Sequence, residues 1–238
     1  MERFLSFDPL DYRYIARDKE LLGRLKSYGE SDVLTKISRI VPESSLPRLH
    51  SLENQLRSIS EQNKTKIVPK RVDGMHAGTT TVGEVFRGYA DSLYRRIKNI
   101  ETVPLDLSGL EAVELNERLS DLVYHHVLAA KPQVKLSHDV RQLFRDEIGQ
   151  YSHADYPEDR VGSSTMPHKK NPVEYEMVIS LMKVLSASVP SALMSVVEHE
   201  GDSTNDYLPG LTFWTIAGVN YITGHLSRTL KNLKINVK

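Results

Sequence analysis

The chain has 238 residues, enough for one large domain or two small ones, and its 31 Lys and Arg balance its 31 Asp and Glu. A neutral chain carries no long-range attraction for nucleic acid or for an anionic membrane surface. With no cysteine there is no disulfide framework, thiolate chemistry or Cys-ligated metal, and the nine histidines show neither H-x-x-x-H nor H-E-x-x-H spacing, so no metal site is expected. We read no apolar run long enough to span a bilayer, and Met1-Glu2-Arg3 does not open a signal peptide, so a cytoplasmic protein is expected.

In chain order, residues 1–30 form an entry segment in which Phe7-Asp8-Pro9-Leu10-Asp11-Tyr12-Arg13-Tyr14 is rich in turn signals. From 31 to 66 the pattern is helical: Leu46, Leu49, Leu52, Leu56 and Ile59 share a face, with Arg48, Glu53, Arg57 and Glu61 largely elsewhere. Asn63-Lys64 and Pro69 break that helix. The stretch Lys70–Gly83, KRVDGMHAGTTTVG, precedes a helix through Tyr89, Leu93 and Ile97 that Pro104 ends. Residues 106–131 and 133–150 then read as two helical segments. Of the adjacent His125 and His126, one faces the core, while His138 and Asp139 diverge by about 100° and cannot pair face to face.

Gly162-Ser163-Ser164-Thr165-Met166-Pro167-His168-Lys169-Lys170-Asn171-Pro172 is the most informative stretch. Its glycine suits a mobile loop, Asn171 an N-cap and Pro172 a first helical residue. Glu174 falls at a capping-box position, and Glu176 lies in the electropositive first turn. Val173, Met177, Leu181, Val184, Leu185 and Ser188 recur at helical spacing beyond it. A serine- and lysine-bearing loop delivered onto a helix N-terminus suits an anion. The last helix reads Val219, Ile222, Leu226, Leu230, Leu233, close to a coiled-coil seam.

That loop resembles the signature of the fumarase/aspartase lyase superfamily, G-S-S-x-M-P-x-K-x-N followed by a glutamate five residues on; Gly162, Ser163, Ser164, Met166, Pro167, Lys169, Asn171 and Glu176 match it. His168 and the flanking Val-Glu are most similar to adenylosuccinate lyases. Members eliminate fumarate without a metal or organic cofactor. The chemistry needs a base for the proton beside a carboxylate, donors for the enolate-like charge, and an acid for the leaving nitrogen. The resemblance makes Ser163 the base, its alkoxide stabilised by loop N–H groups, the helix terminus and Lys169, while Lys169 and Asn171 grip the substrate carboxylate. Ser164 and Met166 fall among the substrate-binding positions, and Glu176 supports them.

Lys70–Gly83 is similar to the family's G-R-T-H-G-x-H-A-x-P-T-T-F-G, with Arg71, Gly74, His76, Ala77, Thr80, Thr81 and Gly83 matching. Thr80 and Thr81 are then implied to contact substrate. Asp73 stands where the family's first histidine, its usual general acid or the helper of that acid, belongs, and His76 falls on the second. An imidazole titrates near neutrality, whereas Asp73 needs burial or a neighbouring carboxylate to hold a proton, so His76 is favoured as the acid and Asp73 is the alternative. Arg13-Tyr14 resembles the pair that contacts the nucleotide phosphate in adenylosuccinate lyases, and Glu198–Asn205 looks like a shortened H-E-R-D-x-T segment that retains Ser203 without the flanking arginines.

The resemblance implies an all-α fold of long up-and-down helices, residues 31–238 forming a central bundle that assembles as a homotetramer with active sites shared between subunits. The usual C-terminal family domain has no counterpart after Lys238, nor do the early T-S-x-D-I and Gly-rich substrate segments. The small-molecule partners implied are a succinyl nucleotide, fumarate and AMP, with no nucleic acid and no membrane. Two alternatives stay open: a catalytically silent homologue serving assembly or regulation, and a superfamily lyase for a non-nucleotide succinyl substrate.

Overall fold

The computed structural model describes residues 33–153, 171–195 and 207–236, and is about 70% helix. Helix α1 (Val33–Ile40) runs through a π-helical turn (Val41–Ser45) into α2 (Leu46–Gln62). The Leu46 N–H reaches back to the Val41 carbonyl, and Pro42 and Pro47 supply no N–H on either side, which favours the wider turn. Leu49, Leu52 and Leu56 are buried as the spacing predicts. Glu53 is buried too, and its ion pair with Arg57 one turn on offsets the cost of that burial.

The stretch before the next helix, in a fold expected to be all-α, is a β-hairpin, β1 (Ile67–Val72) and β2 (Met75–Thr81). Val72 pairs with Met75, so Asp73 and Gly74 alone form the turn, with φ of 51° and 81°. A two-residue hairpin turn with positive φ at both central positions matches strand twist, and Asp-Gly is a favoured sequence for it. The chain is therefore mostly helical rather than all-α.

Helix α3 (Val82–Glu101) begins with a capping box: the Glu84 N–H donates to Thr81 Oγ1 at 3.1 Å and the Thr81 N–H to Glu84 Oε2 at 3.3 Å. Helix α4 (Ala112–Leu143) is one helix where two were expected, and it continues through Pro132. The missing N–H at 132 costs one ladder bond, but Leu122, Val123, Leu136 and Val140 on its two sides are all buried, and that packing keeps the rod continuous. His126 is the histidine facing the core.

Strand β3 (Tyr151–His153) pairs antiparallel with β4 (Leu233–Ile235). Leu233, expected as the end of the last helix's seam, lies in β4, because α7 (Leu208–Leu230) stops three residues earlier. The seam residues Val219, Ile222, Leu226 and Leu230 are buried within this chain's own core rather than presented to a partner. Between these elements lie α5 (Val173–Leu185) and the short α6 (Ser188–Leu193). Helix α7 packs on α1, α2, α4, α5 and α6, and α4 packs on α3, α5, α6 and α7, so these two helices are the axis of the molecule.

By length and composition the 21 residues Val173–Leu193, with mean hydropathy 1.3, pass as a membrane-spanning helix, contrary to the sequence expectation. They divide at Ser186–Ala187, carry Glu174, Glu176 and Lys183, and bury Tyr175, Val178 and Ile179 against the rest of the chain. One such stretch is weak grounds for a membrane.

Candidate active site

The described residues stop at His153 and resume at Asn171, and residues on the two sides are in contact. His153 Nε2 lies 3.2 Å from the Tyr175 hydroxyl, their rings 5.6 Å apart, and Phe144 packs against both at 5.3 and 6.2 Å. Tyr175 itself is fully buried in the first turn of α5. Glu176, one residue on, meets Arg141 of α4 at 3.1 Å. On the other side of the base, Asn236 beyond β4 donates its backbone N–H to the Gln150 carbonyl at 2.8 Å and its amide to the Gly149 carbonyl at 3.0 Å. The ends of the segment are thus set by α4, α5 and β4 together.

The hairpin joins the same region. Arg71 Nη1 donates to Gln150 Oε1 at 3.0 Å, and Tyr151 stands edge-on to Phe86 of α3 at 6.4 Å. Phe86 also meets Tyr89, whose hydroxyl donates to Asp139, and Lys135 pairs with the same carboxylate. Burial, and for Tyr89 also the Asp139 charge, pushes the Tyr89 and Tyr175 phenols well above their ordinary value and Tyr151 up to about 12. All three stay protonated near neutrality, as hydrogen-bond donors and packing groups rather than bases.

The residues singled out in the sequence divide among several places. Asp73 is exposed at the hairpin tip, with no hydrogen bond or ion pair among the described residues. His76, paired across the ladder with Arg71, is likewise exposed, so the imidazole is open to a substrate. Thr80 donates to Glu84 at 2.8 Å and Thr81 is the helix cap; hydrogen bonds from Thr80 and from the Thr81 backbone hold the Glu84 carboxyl below its usual range. These two threonines therefore build the start of α3, a role the substrate-contact reading did not anticipate. Pro172, not Asn171, is the N-cap of α5, its carbonyl accepting from Tyr175 and Glu176 at 3.1 and 3.2 Å, because the helix starts one residue later than read. Glu174 does not close a capping box but approaches His225 Nε2 of α7 at 3.0 Å. Ser163, Ser164, Met166, Lys169, Arg13, Tyr14 and Ser203 lie outside the described residues.

Tyr175 and His153 were missed in the sequence. Their signal is positional: each flanks the signature segment, one in strand-forming Tyr-Ser-His and one in the first turn of an apolar helix. Among the described residues no three His, Asp or Glu side chains group as a metal site.

Residues 107–187 match the family model described as Lyase. The adenylosuccinate lyase of Methanothermobacter thermautotrophicus is 25% identical over 227 residues, 74% of this chain and 51% of that protein. An N-acetyl-S-(2-succino)cysteine lyase of Dickeya dadantii is 24% identical over 184 residues, covering 63% of this chain and 40% of its own. The crystal structure of 3-carboxy-cis,cis-muconate lactonizing enzyme from Pseudomonas putida superposes with a TM-score of 0.68 at 18% identity, over 86% of this chain and 53% of that one, a likeness of fold alone. Over residues 107–187 the chain is similar to the lyase domain of the fumarase/aspartase superfamily. Distant similarity to adenylosuccinate lyases is the finer relation, and the chain spans about half the length of the curated relatives it matches.

Proposed function

We propose that this protein is a carbon–nitrogen lyase that eliminates fumarate from a succinyl-amino nucleotide, adenylosuccinate, in the cytoplasm as a homotetramer with shared sites. Ser163 removes the proton, Lys169 and Asn171 hold the carboxylate and the developing charge, and His76 protonates the leaving nitrogen. Arg13 and Tyr14 take the nucleotide phosphate. The observation that carries this reading is the signature sequence Gly162–Asn171, with His153 and Tyr175, which precede and follow it in the chain, in contact at 3.2 Å. A base and a carboxylate clamp need fixed anchor points to keep their spacing through turnover.

The test is fumarate release from adenylosuccinate, comparing the unmodified chain with Ser163→Ala. Turnover that falls by about a thousandfold or more in the variant supports the base assignment. Equal turnover in the two proteins defeats it.

A second reading is favoured by Asp73 and Glu176. The position of the usual acid is an exposed turn aspartate, and Glu176 is held by Arg141. A silent homologue that binds without turnover fits both facts. Folded, oligomeric protein that binds AMP yet releases no fumarate selects it. The 2-succinocysteine lyase relative supports a third reading, a non-nucleotide succinyl substrate, which unchanged AMP affinity in Arg13→Ala would favour.

A further inference from the structure

Past Val68 the hairpin is open to solvent: within residues 69–79 every residue is exposed except Arg71, which is half-buried. Among the described residues, the bond from Arg71 Nη1 to Gln150 Oε1 at 3.0 Å is the one side-chain hydrogen bond that ties this stretch to the rest of the chain. Its far end is fixed. Gln150 is buried, and its backbone carbonyl accepts from the Asn236 N–H at 2.8 Å. It leads straight into β3, whose His153 meets Tyr175. A guanidinium donor on a buried amide oxygen makes a charge-assisted bond, which ranks among the stronger hydrogen bonds a side chain can form.

The ladder pairs Pro69 with Thr79 and Arg71 with His76, so Lys70 faces two residues, Ala77 and Gly78. This is a β-bulge, and Gly78 takes a φ of 131° within it, a conformation that L side chains rarely adopt. The space around Gly78 is open, so the backbone and not crowding asks for a glycine there. A ladder without the bulge would set Ala77 opposite Arg71 and His76 opposite Val72. Residues directly opposite share a face, and a slip of one residue reverses the facing of those beyond it. The bulge thus brings His76 to the face of the hairpin that carries Arg71.

We propose that Arg71 is a positioning residue for His76: the bulge puts the imidazole on the guanidinium's side of the hairpin, and the bond to Gln150 holds that side in place. The inference rests on the reading of His76 as the acid for the leaving nitrogen. A general acid is effective only at hydrogen-bond distance from the atom it protonates, and misplacement by about 1 Å costs about a hundredfold in rate. An exposed two-stranded hairpin does not hold its tip to that tolerance by itself, and two such strands alone are marginally stable. Arg71 supplies the missing restraint one ladder position from the turn, where it acts most directly on His76.

The experiment has two readouts on the full chain. The first is the NMR spectrum of the histidine rings, in which the His76 resonance is identified by its loss in His76→Gln. Arg71→Met and Gly78→Ala are expected to shift the His76 resonance and to leave those of His50, His126 and His225 in place. A His76 resonance unmoved in a folded Arg71→Met overturns the inference, whether or not the chain is a lyase. The second is fumarate release from adenylosuccinate. Arg71→Met should lower kcat about tenfold or more with KM within about twofold, and Arg71→Lys should recover part of the loss. Gln150→Leu should lower kcat by a similar factor, and the double variant no further, because both remove one bond. Losses that multiply in the double variant, or that appear in KM with kcat unchanged, overturn the inference. No release from the unmodified chain defeats the lyase reading alone, and the His76 resonance then decides whether Arg71 sets the place of that ring.

Discussion

His126 shows how one buried side chain sets a property of the whole chain. Its Nδ1 lies 2.7 Å from the Leu122 carbonyl, which can only accept, so Nδ1 carries the proton and Nε2 accepts from the Ser45 hydroxyl at 3.0 Å. Burial outweighs the carbonyl bond and lowers the imidazole pKa to about 4. The unfolded chain therefore binds a proton that the folded chain refuses, and stability is lost as pH falls from the unfolded value of 6.5 towards 4. By linkage the loss from this residue approaches ~3 kcal/mol at pH 4. Melting temperatures across that window should fall less steeply in His126→Gln; equal slopes would show that other groups set the acid limit. Gly83 is a second residue with a definite consequence. A Cβ there would meet Lys64 Cα at 2.5 Å and the Ser60 carbonyl at 2.7 Å, both backbone. Overpacking of this kind costs about 1–3 kcal/mol, so Gly83→Ala should melt well below the unmodified protein, and an unchanged melting temperature would mean that α2 and α3 yield easily.

At the scale of elements, the helices were legible and the hairpin was not. Leu49, Leu52 and Leu56 are buried as their spacing predicts, since the face of a packed helix is set by residues three and four apart. In Lys70–Gly83 the hairpin signal is present as Asp73-Gly74 between residues rich in Val and Thr, but similarity to a catalytic motif carries no information on strand pairing. The single α4 was obscured by Pro132, a local breaker overridden by burial on both flanks, a fact that only tertiary packing contains. Hydrogen bonds between distant segments, such as Arg71 to Gln150 or Asn236 to Gly149, have no sequence signature at all. The hairpin also explains its own departure from the superfamily motif. Its first turn position has φ of 51°, which Asp, Asn and His tolerate better than most residues, and Asp-Gly is a favoured turn pair. Asp73→His should consequently fold within ~0.5 kcal/mol of the unmodified protein. It should also raise fumarate release about tenfold or more, because it returns an imidazole to the acid's position. Unchanged release from a stable variant would leave His76 as the acid of the hairpin.

For the whole molecule, the decisive feature is what the chain leaves uncovered. Helices α4 and α7 bury their apolar faces within one chain, whereas Asp73 and His76 project from the hairpin with their side chains exposed and no hydrogen bond among the described residues. Met75 and Val72 beside them are 73% and 51% exposed. An exposed acid cannot work on a substrate from which water must be excluded, so the hairpin needs a cover. In the shared site we propose, a second copy of the chain would supply both cover and base through its own signature segment. Mixing separately inactive Ser163→Ala and His76→Ala proteins, dissociated and reassembled together, should then restore part of the fumarate release, since some mixed sites receive an intact serine and an intact histidine. Each variant alone stays inactive under the same treatment. Reassembled mixtures that form the oligomer yet remain silent would place Ser163 and His76 in the same subunit's site, and with that the exposed hairpin would have to be covered by its own chain.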